Sequence, residues 1–154
     1  MLIAGIGNIF LGDDGFGVEV AKRLSGETLP AEVTVRDYGI RGLHLAYEML
    51  DGGYDTTVFV DAVPRGGQPG SLYLIEPEVD QVGPAAAEAH AMNPANVIAL
   101  LKTMGGVPGR VLIVGCEPAS VEEGIGLTAP VANAVGEAVQ FVRDIIAREQ
   151  SEVH

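Results

Sequence analysis

The stretch GIGNIFLGDDGFGVEV, Gly5 to Val20, constrains the fold more than any other part of the chain. Before it, Met1 to Ala4 is an apolar run bounded by glycine, which predicts a short buried strand. After it, Phe16, Val20, Ala21 and Leu24 recur at helical spacing, with Gly26 as the stop. A strand, a glycine turn and a helix in quick succession open an α/β unit. The turn sets Asp13 and Asp14 at the carboxyl end of the strand, where open α/β sheets place their ligands.

Glycines at a strand end invite a dinucleotide reading, and Gly5 and Gly7 do begin G-x-G-x-x-G, but the third glycine position holds Phe10. A pyrophosphate also needs the positive end of the following helix, and Asp13 and Asp14 put negative charge there instead. One aspartate at that place is what a helix cap looks like. Two in a row exceed what capping needs, so one of the pair is assigned to function.

The rest of the chain repeats the strand and helix alternation. Glu32 to Asp37 reads as a partly exposed strand, and Gly42 to Leu50 as a helix with Leu43, Ala46, Tyr47 and Leu50 on its apolar face, stopped at Gly52 and Gly53. Thr56 to Val60 and Arg110 to Gly115 are apolar at both parities, the pattern of central strands buried on two faces. Ser71 to Ile75 follows so soon after a proline- and glycine-rich turn that an antiparallel edge strand is expected. Asn93 and Pro94 start a helix carrying Val97, Leu100, Leu101 and Met104. Thr128 caps a last helix, with Val131, Val135, Val139, Val142 and Ile146 buried and fraying from about Glu149. Pro77 to Met92 lacks periodicity and reads as a loop or weak helical turn holding His90. The expected fold is a three-layer α/β/α sandwich with a mainly parallel sheet, one domain over residues 1–154.

Composition narrows the partners. With 47% hydrophobic and 19% charged residues the chain can bury a core without disulfides. Its formal net charge of -12 excludes the basic patches that nucleic acid or an anionic membrane surface requires, and suits a basic peptide or a metal ion. The single cysteine, Cys116, fits a reducing compartment, and no signal peptide or membrane span is legible, so a cytoplasmic location is expected.

Three groups fall where a site can form: Asp14 after the first strand, Asp61 at the end of the central strand, and His90 in the irregular loop. Two carboxylates and an imidazole are an open ligand set for a divalent ion such as nickel or zinc, and not the four-ligand set of a structural zinc site. Spacing leaves a second role open for each, with Asp14 as a cap, Asp61 bonding turn amides and His90 as an exposed loop residue. His44 reads as a surface or half-buried helix residue, and Cys116 as a small core residue. The turn at Asp37, Gly39 and Gly42 reads as shaping the site floor. No G-x-S-x-G elbow and no H-E-x-x-H is present.

In GIGNIFLGDDGFGVEV, DYGIRG, VFVDAV, HAMNPANVIALL, LIVGCEP and GIGLTAPV, running in order from Gly5 to Val131, the chain resembles the nickel-iron hydrogenase maturation endopeptidases. These proteases trim the C-terminal extension from the hydrogenase large-subunit precursor. The resemblance implies a five-stranded mixed sheet with the fourth strand antiparallel. It also implies that Asp14, Asp61 and His90 are the metal ligands and the catalytic set. The nickel is expected to arrive in the precursor, read as a sign that cofactor assembly is complete, with the enzyme a monomer. Some members carry glutamate where this chain has the shorter Asp14. The alternative is a non-catalytic assembly chaperone for the same precursor, which needs the docking surface but not the three ligands.

Overall fold

Valine, isoleucine and leucine at both parities build the centre of the sheet in the computed structural model, which describes residues 1–83 and 92–152. The inner strands are β1 (Leu2–Ile6), β3 (Thr56–Ala62) and β5 (Arg110–Cys116), with β2 (Thr34–Gly39) and β4 (Leu72–Ile75) at the edges. The order is β2-β1-β3-β5-β4, parallel throughout except for β4, which runs antiparallel to β5. The turn between β3 and β4 is too short for a crossover helix, so β4 can only return antiparallel. The first strand continues two residues past its expected end, to Ile6.

The strand pleat sorts the core into two layers. Ile3, Val58, Val60, Leu112 and Val114 face α1 (Phe16–Ser25) and α4 (Ala129–Glu152). Leu2, Ala4, Phe59, Val111 and Ile113 face α2 (Gly42–Gly52) and α3 (Pro94–Thr103). Helices on both faces of a mixed sheet make the expected α/β/α sandwich. Each fully buried aliphatic or aromatic side chain at this centre contributes about 1.5–3 kcal/mol of transfer free energy.

Local signals explain most helix ends. Asn93 caps α3, its side chain accepting the Asn96 N–H at 2.8 Å, with Pro94 in the first turn. Within α3, Val97 and Leu101 are buried, while Leu100 and the C-cap Met104 are only half-buried. Gly53 closes α2 in the left-handed conformation at φ 63°. The buried face of α2 differs from expectation: Gly42, Leu45, Ala46 and Met49 point inward, and Leu43, Tyr47 and Leu50 are exposed. Apolar residues cover more than half of this helix's circumference, so periodicity does not fix its phase, and packing of Leu45 and Met49 against β1 and α3 does. At the other end, α4 stays helical to Glu152, past the expected fraying point, with Glu149 paired to Arg110.

Chain order places the functional edge. β1 connects to β2 on one side, while β3 lies on the other side of β1, so the carboxyl ends of β1 and β3 flank the topological switch point. Among the described residues, no helix is long and apolar enough to cross a membrane.

Candidate active site

Two glycines set how closely the turn carrying Asp14 and the start of α1 approach the ends of β1 and β3. A Cβ on Gly7 (φ 131°) would lie 1.9 Å from the Asp14 carbonyl oxygen, and a Cβ on Gly17 would lie 1.9 Å from that of Val60. A Cβ on Gly5 would lie 2.3 Å from the Gly17 carbonyl oxygen, so Gly5 and Gly7, the glycines that imitate a dinucleotide fingerprint, serve backbone-to-backbone packing.

Asp14 sits in a 3-10 turn, Gly12–Gly15, and its Oδ2 accepts the Asn8 N–H at 2.7 Å. Asp61 follows Val60 on β3, in register with Gly115 of β5, and is 6% exposed. Burial first, and then the negative charge of Asp14, push the Asp61 carboxyl well above its usual 3.8, while the Ala62 N–H offsets part of that rise. The fold thus brings Asp14 and Asp61 within electrostatic reach at the switch point. His90 lies outside the described residues. Among the described residues no three His, Cys, Asp or Glu side chains cluster closely enough to hold a metal.

The surroundings are mostly apolar. Asp61 opens onto a cavity of ≈ 290 Å³ walled by Val63, Ile75, Val82, Asn93 and Ile113. A groove of ≈ 280 Å³ runs between the Asn8–Phe10 turn and Tyr38–Arg41. The second turn was expected to shape the floor, and it is tied to the first by the Gly7 N–H, which donates to the Gly39 oxygen at 2.9 Å. Arg41 secures it, donating to the carbonyls of Asp37 at 2.6 Å and Tyr38 at 3.1 Å. A larger cavity, ≈ 380 Å³, lies at the opposite end of the strands beside Met1, Thr56 and Glu149.

Neither adjacent aspartate caps α1. The cap position is Gly15, with no side-chain bond. Asp13 is fully buried and takes hydrogen bonds from Ala119 and Thr128, so the pair divides into one structural carboxylate and one half-buried at the edge. Burial alone would raise the Asp13 carboxyl, but the Thr128 N–H and hydroxyl and the N–H groups of Ala119 and Ser120 outweigh it and hold it below 3.8. Thr128 does stand just before α4, as expected, and its hydroxyl donates to Asp13. Sequence reasoning missed a third buried carboxylate, Glu117. Glu117 Oε1 accepts the Tyr73 hydroxyl at 2.7 Å and the N–H groups of Arg65 and Gly67 at 2.9 Å, bonds that hold its carboxyl below its ordinary value. The only signal was an acidic residue directly after a buried strand, the same signal that picked out Asp61.

Cys116 is a core residue, as expected. It is fully buried against α4, and burial pushes its thiol up to about 11, far from a thiolate nucleophile. His44 is exposed on α2.

Comparison with known proteins places the chain in a family. The family model described as HycI, hydrogenase maturation protease, matches residues 18–145. The chain belongs to the hydrogenase maturation protease family. It is 33% identical to the hydrogenase expression/formation protein HupD of Rhodobacter capsulatus over 93% of this chain and 71% of that protein. It is 30% identical to the hydrogenase 2 maturation protease of Escherichia coli K12, over 92% and 87%. The solved structure of the maturating endopeptidase HybD from E. coli superposes with a TM-score of 0.76 at 27% identity, covering 96% of this chain and 92% of that one. A hydrogenase maturation protease is a peptidase, and with Cys116 sealed in the core this one draws its chemistry from other groups. Of the two carboxylates at the switch point, Asp61 lines a cavity and Asp14 stands within electrostatic reach of it.

Proposed function

We propose that this maturation protease removes the C-terminal extension of a nickel-iron hydrogenase large-subunit precursor, in the cytoplasm, after nickel has been inserted. Asp14, Asp61 and His90 then engage the nickel carried by the precursor. The observation that carries this reading is the Asp61 carboxyl, desolvated and facing a like charge from Asp14. A divalent cation relieves both penalties at once, because it compensates two carboxylates whose mutual repulsion the fold otherwise has to bear. His90 supplies a borderline-soft nitrogen to a set that would otherwise be all oxygen, which favours nickel over magnesium or calcium. The substrate's nickel, held this way beside the scissile peptide, polarises its carbonyl or activates a water. The apolar walls of the adjoining cavity, Val63, Ile75, Val82 and Ile113, fit an extended segment of the extension.

The test compares one precursor with and without nickel, using enzyme stripped of metal in both arms, with loss of the C-terminal segment followed by mass spectrometry. Cleavage of the nickel-loaded precursor alone is expected. Equal cleavage of both overturns the nickel reading.

A further inference from the structure

The turn that carries Asp14 is fastened to a distant loop by the residue before it. Asp13 Oδ2 accepts the N–H groups of Ala119 at 2.8 Å and Ser120 at 3.1 Å and the Thr128 hydroxyl at 2.8 Å, while Oδ1 accepts the Thr128 N–H at 2.7 Å. Backbone bonds flank the carboxylate. The Asp13 N–H donates to the Ser120 oxygen at 3.0 Å, the Gly12 N–H to Gly124 at 2.9 Å, and the Gly124 N–H to Phe10 at 2.9 Å. Between β5 and α4 the loop is largely exposed, with Val121 and Ile125 51% and 78% accessible, so apolar burial does little to place it. Its hydrogen bonds to the Gly12–Gly15 turn do.

We infer that Asp13 is a positioning residue for the protease reaction, holding Asp14 in place relative to Asp61 by clamping the 117–128 loop and the start of α4 to the Gly12–Gly15 turn. This rests on the assignment of Asp14 to the site. The turn is four residues long, so a displacement of Asp13 reaches Asp14 through one peptide unit. Asp14's own carboxylate is held from the other direction by the Asn8 N–H. The two anchors hold the adjacent middle residues of the turn, one through a buried charge and one through the site carboxylate itself. A purely stabilising aspartate would need no such address. Displacements of about 1 Å at reacting groups cost on the order of 10²-fold in rate, so a tie one residue from Asp14 bears on turnover more than on substrate affinity.

Thr128→Val removes one donor to Asp13 while keeping side-chain shape and the backbone N–H, and Thr128→Ser restores the hydroxyl. These are compared with Asp13→Asn and Asp14→Asn in single-turnover cleavage of nickel-loaded large-subunit precursor. Maximal rate and half-saturating enzyme concentration are read separately, at a temperature where thermal melts show every variant folded. Thr128→Val is expected to lower the maximal rate about tenfold and Asp13→Asn about a hundredfold. Half-saturation stays within about twofold, Thr128→Ser recovers wild-type behaviour, and Asp14→Asn is inactive. Wild-type maximal rates in Thr128→Val and Asp13→Asn beside an inactive Asp14→Asn overturn the inference and leave Asp13 a structural residue. A change confined to half-saturation also overturns it, assigning the loop to docking through Val121 and Ile125. An active Asp14→Asn removes the site assignment itself, and this inference with it.

Discussion

Asp13 and Asp61 are buried aspartates at the same edge of one sheet, and the fold treats them in opposite ways. Asp13 is met by three N–H groups and a hydroxyl, which hold its carboxyl below 3.8 despite full burial. Asp61 has the Ala62 N–H and, beside it, the charge of Asp14, and its carboxyl rises well above 3.8. A buried carboxylate supplied with donors is a strut, because its charge is already neutralised by its neighbours. One whose burial and like-charged neighbour outweigh its donor among the described residues favours an added positive charge, which is what a site that receives a cation needs.

The contrast can be broken most decisively at Asp61. Asp61→Asn keeps the shape and removes the charge, and precursor processing is expected to fall by about 10²–10⁴-fold, measured as the ratio of product to precursor by mass spectrometry. Next in size, Asp13→Ala strips the acceptor from four donors at once and is expected to cost about 3–5 kcal/mol in urea unfolding. An Asp13→Ala variant as stable as wild type would show that solvent replaces those bonds and that the strut is no strut.

The pH dependence separates the two groups by sign. A carboxyl lowered on folding, as at Asp13, adds stability that is fully present above 3.8 and is lost as pH falls through its folded value. Urea midpoints followed from pH 5 down to about 2.5 should therefore fall less steeply in Asp13→Asn than in wild type. A carboxyl raised on folding, as at Asp61, acts the other way: its contribution is present below 3.8 and is lost as pH rises through the folded value. The smallest expected effect follows from that sign. Asp61→Asn should be more stable than wild type at pH 7 by roughly 1 kcal/mol, or about 2–4 °C in Tm by calorimetry, in the same variant that no longer processes the precursor. A variant that is both inactive and less stable would place Asp61 with Asp13.

The sheet was legible because its evidence is local. Val58 to Val60 and Val111 to Val114 are apolar at both parities, which only a strand covered on two faces allows, and Asn93 and Pro94 carry a helix start in two residues. The phase of α2 was not legible, since Leu43, Leu45, Tyr47, Met49 and Leu50 offer it two plausible buried faces and only tertiary packing chooses. At the site, the sequence showed that two aspartates exceed one cap and pointed to Asp14, but it did not show what Asp13 does. What distinguishes them lies more than a hundred positions away, at Ala119, Ser120 and Thr128. Glu117 was missed for the same reason, its partners being 44 to 52 residues earlier. His90 rests on the resemblance, because its segment lies outside the described residues.

The contact of Gly17 with the Val60 carbonyl makes the base of the site a main-chain dimension. The distance of α1 from β3 at that contact does not depend on side-chain choice, because only main-chain atoms meet there. Reach toward a bound ion is then a separate variable, adjustable by one methylene at position 14 while the gauge beneath stays constant. At this contact scaffold and caliper are independent, so lengthening one jaw retunes the gap while the main-chain frame beneath it keeps its spacing.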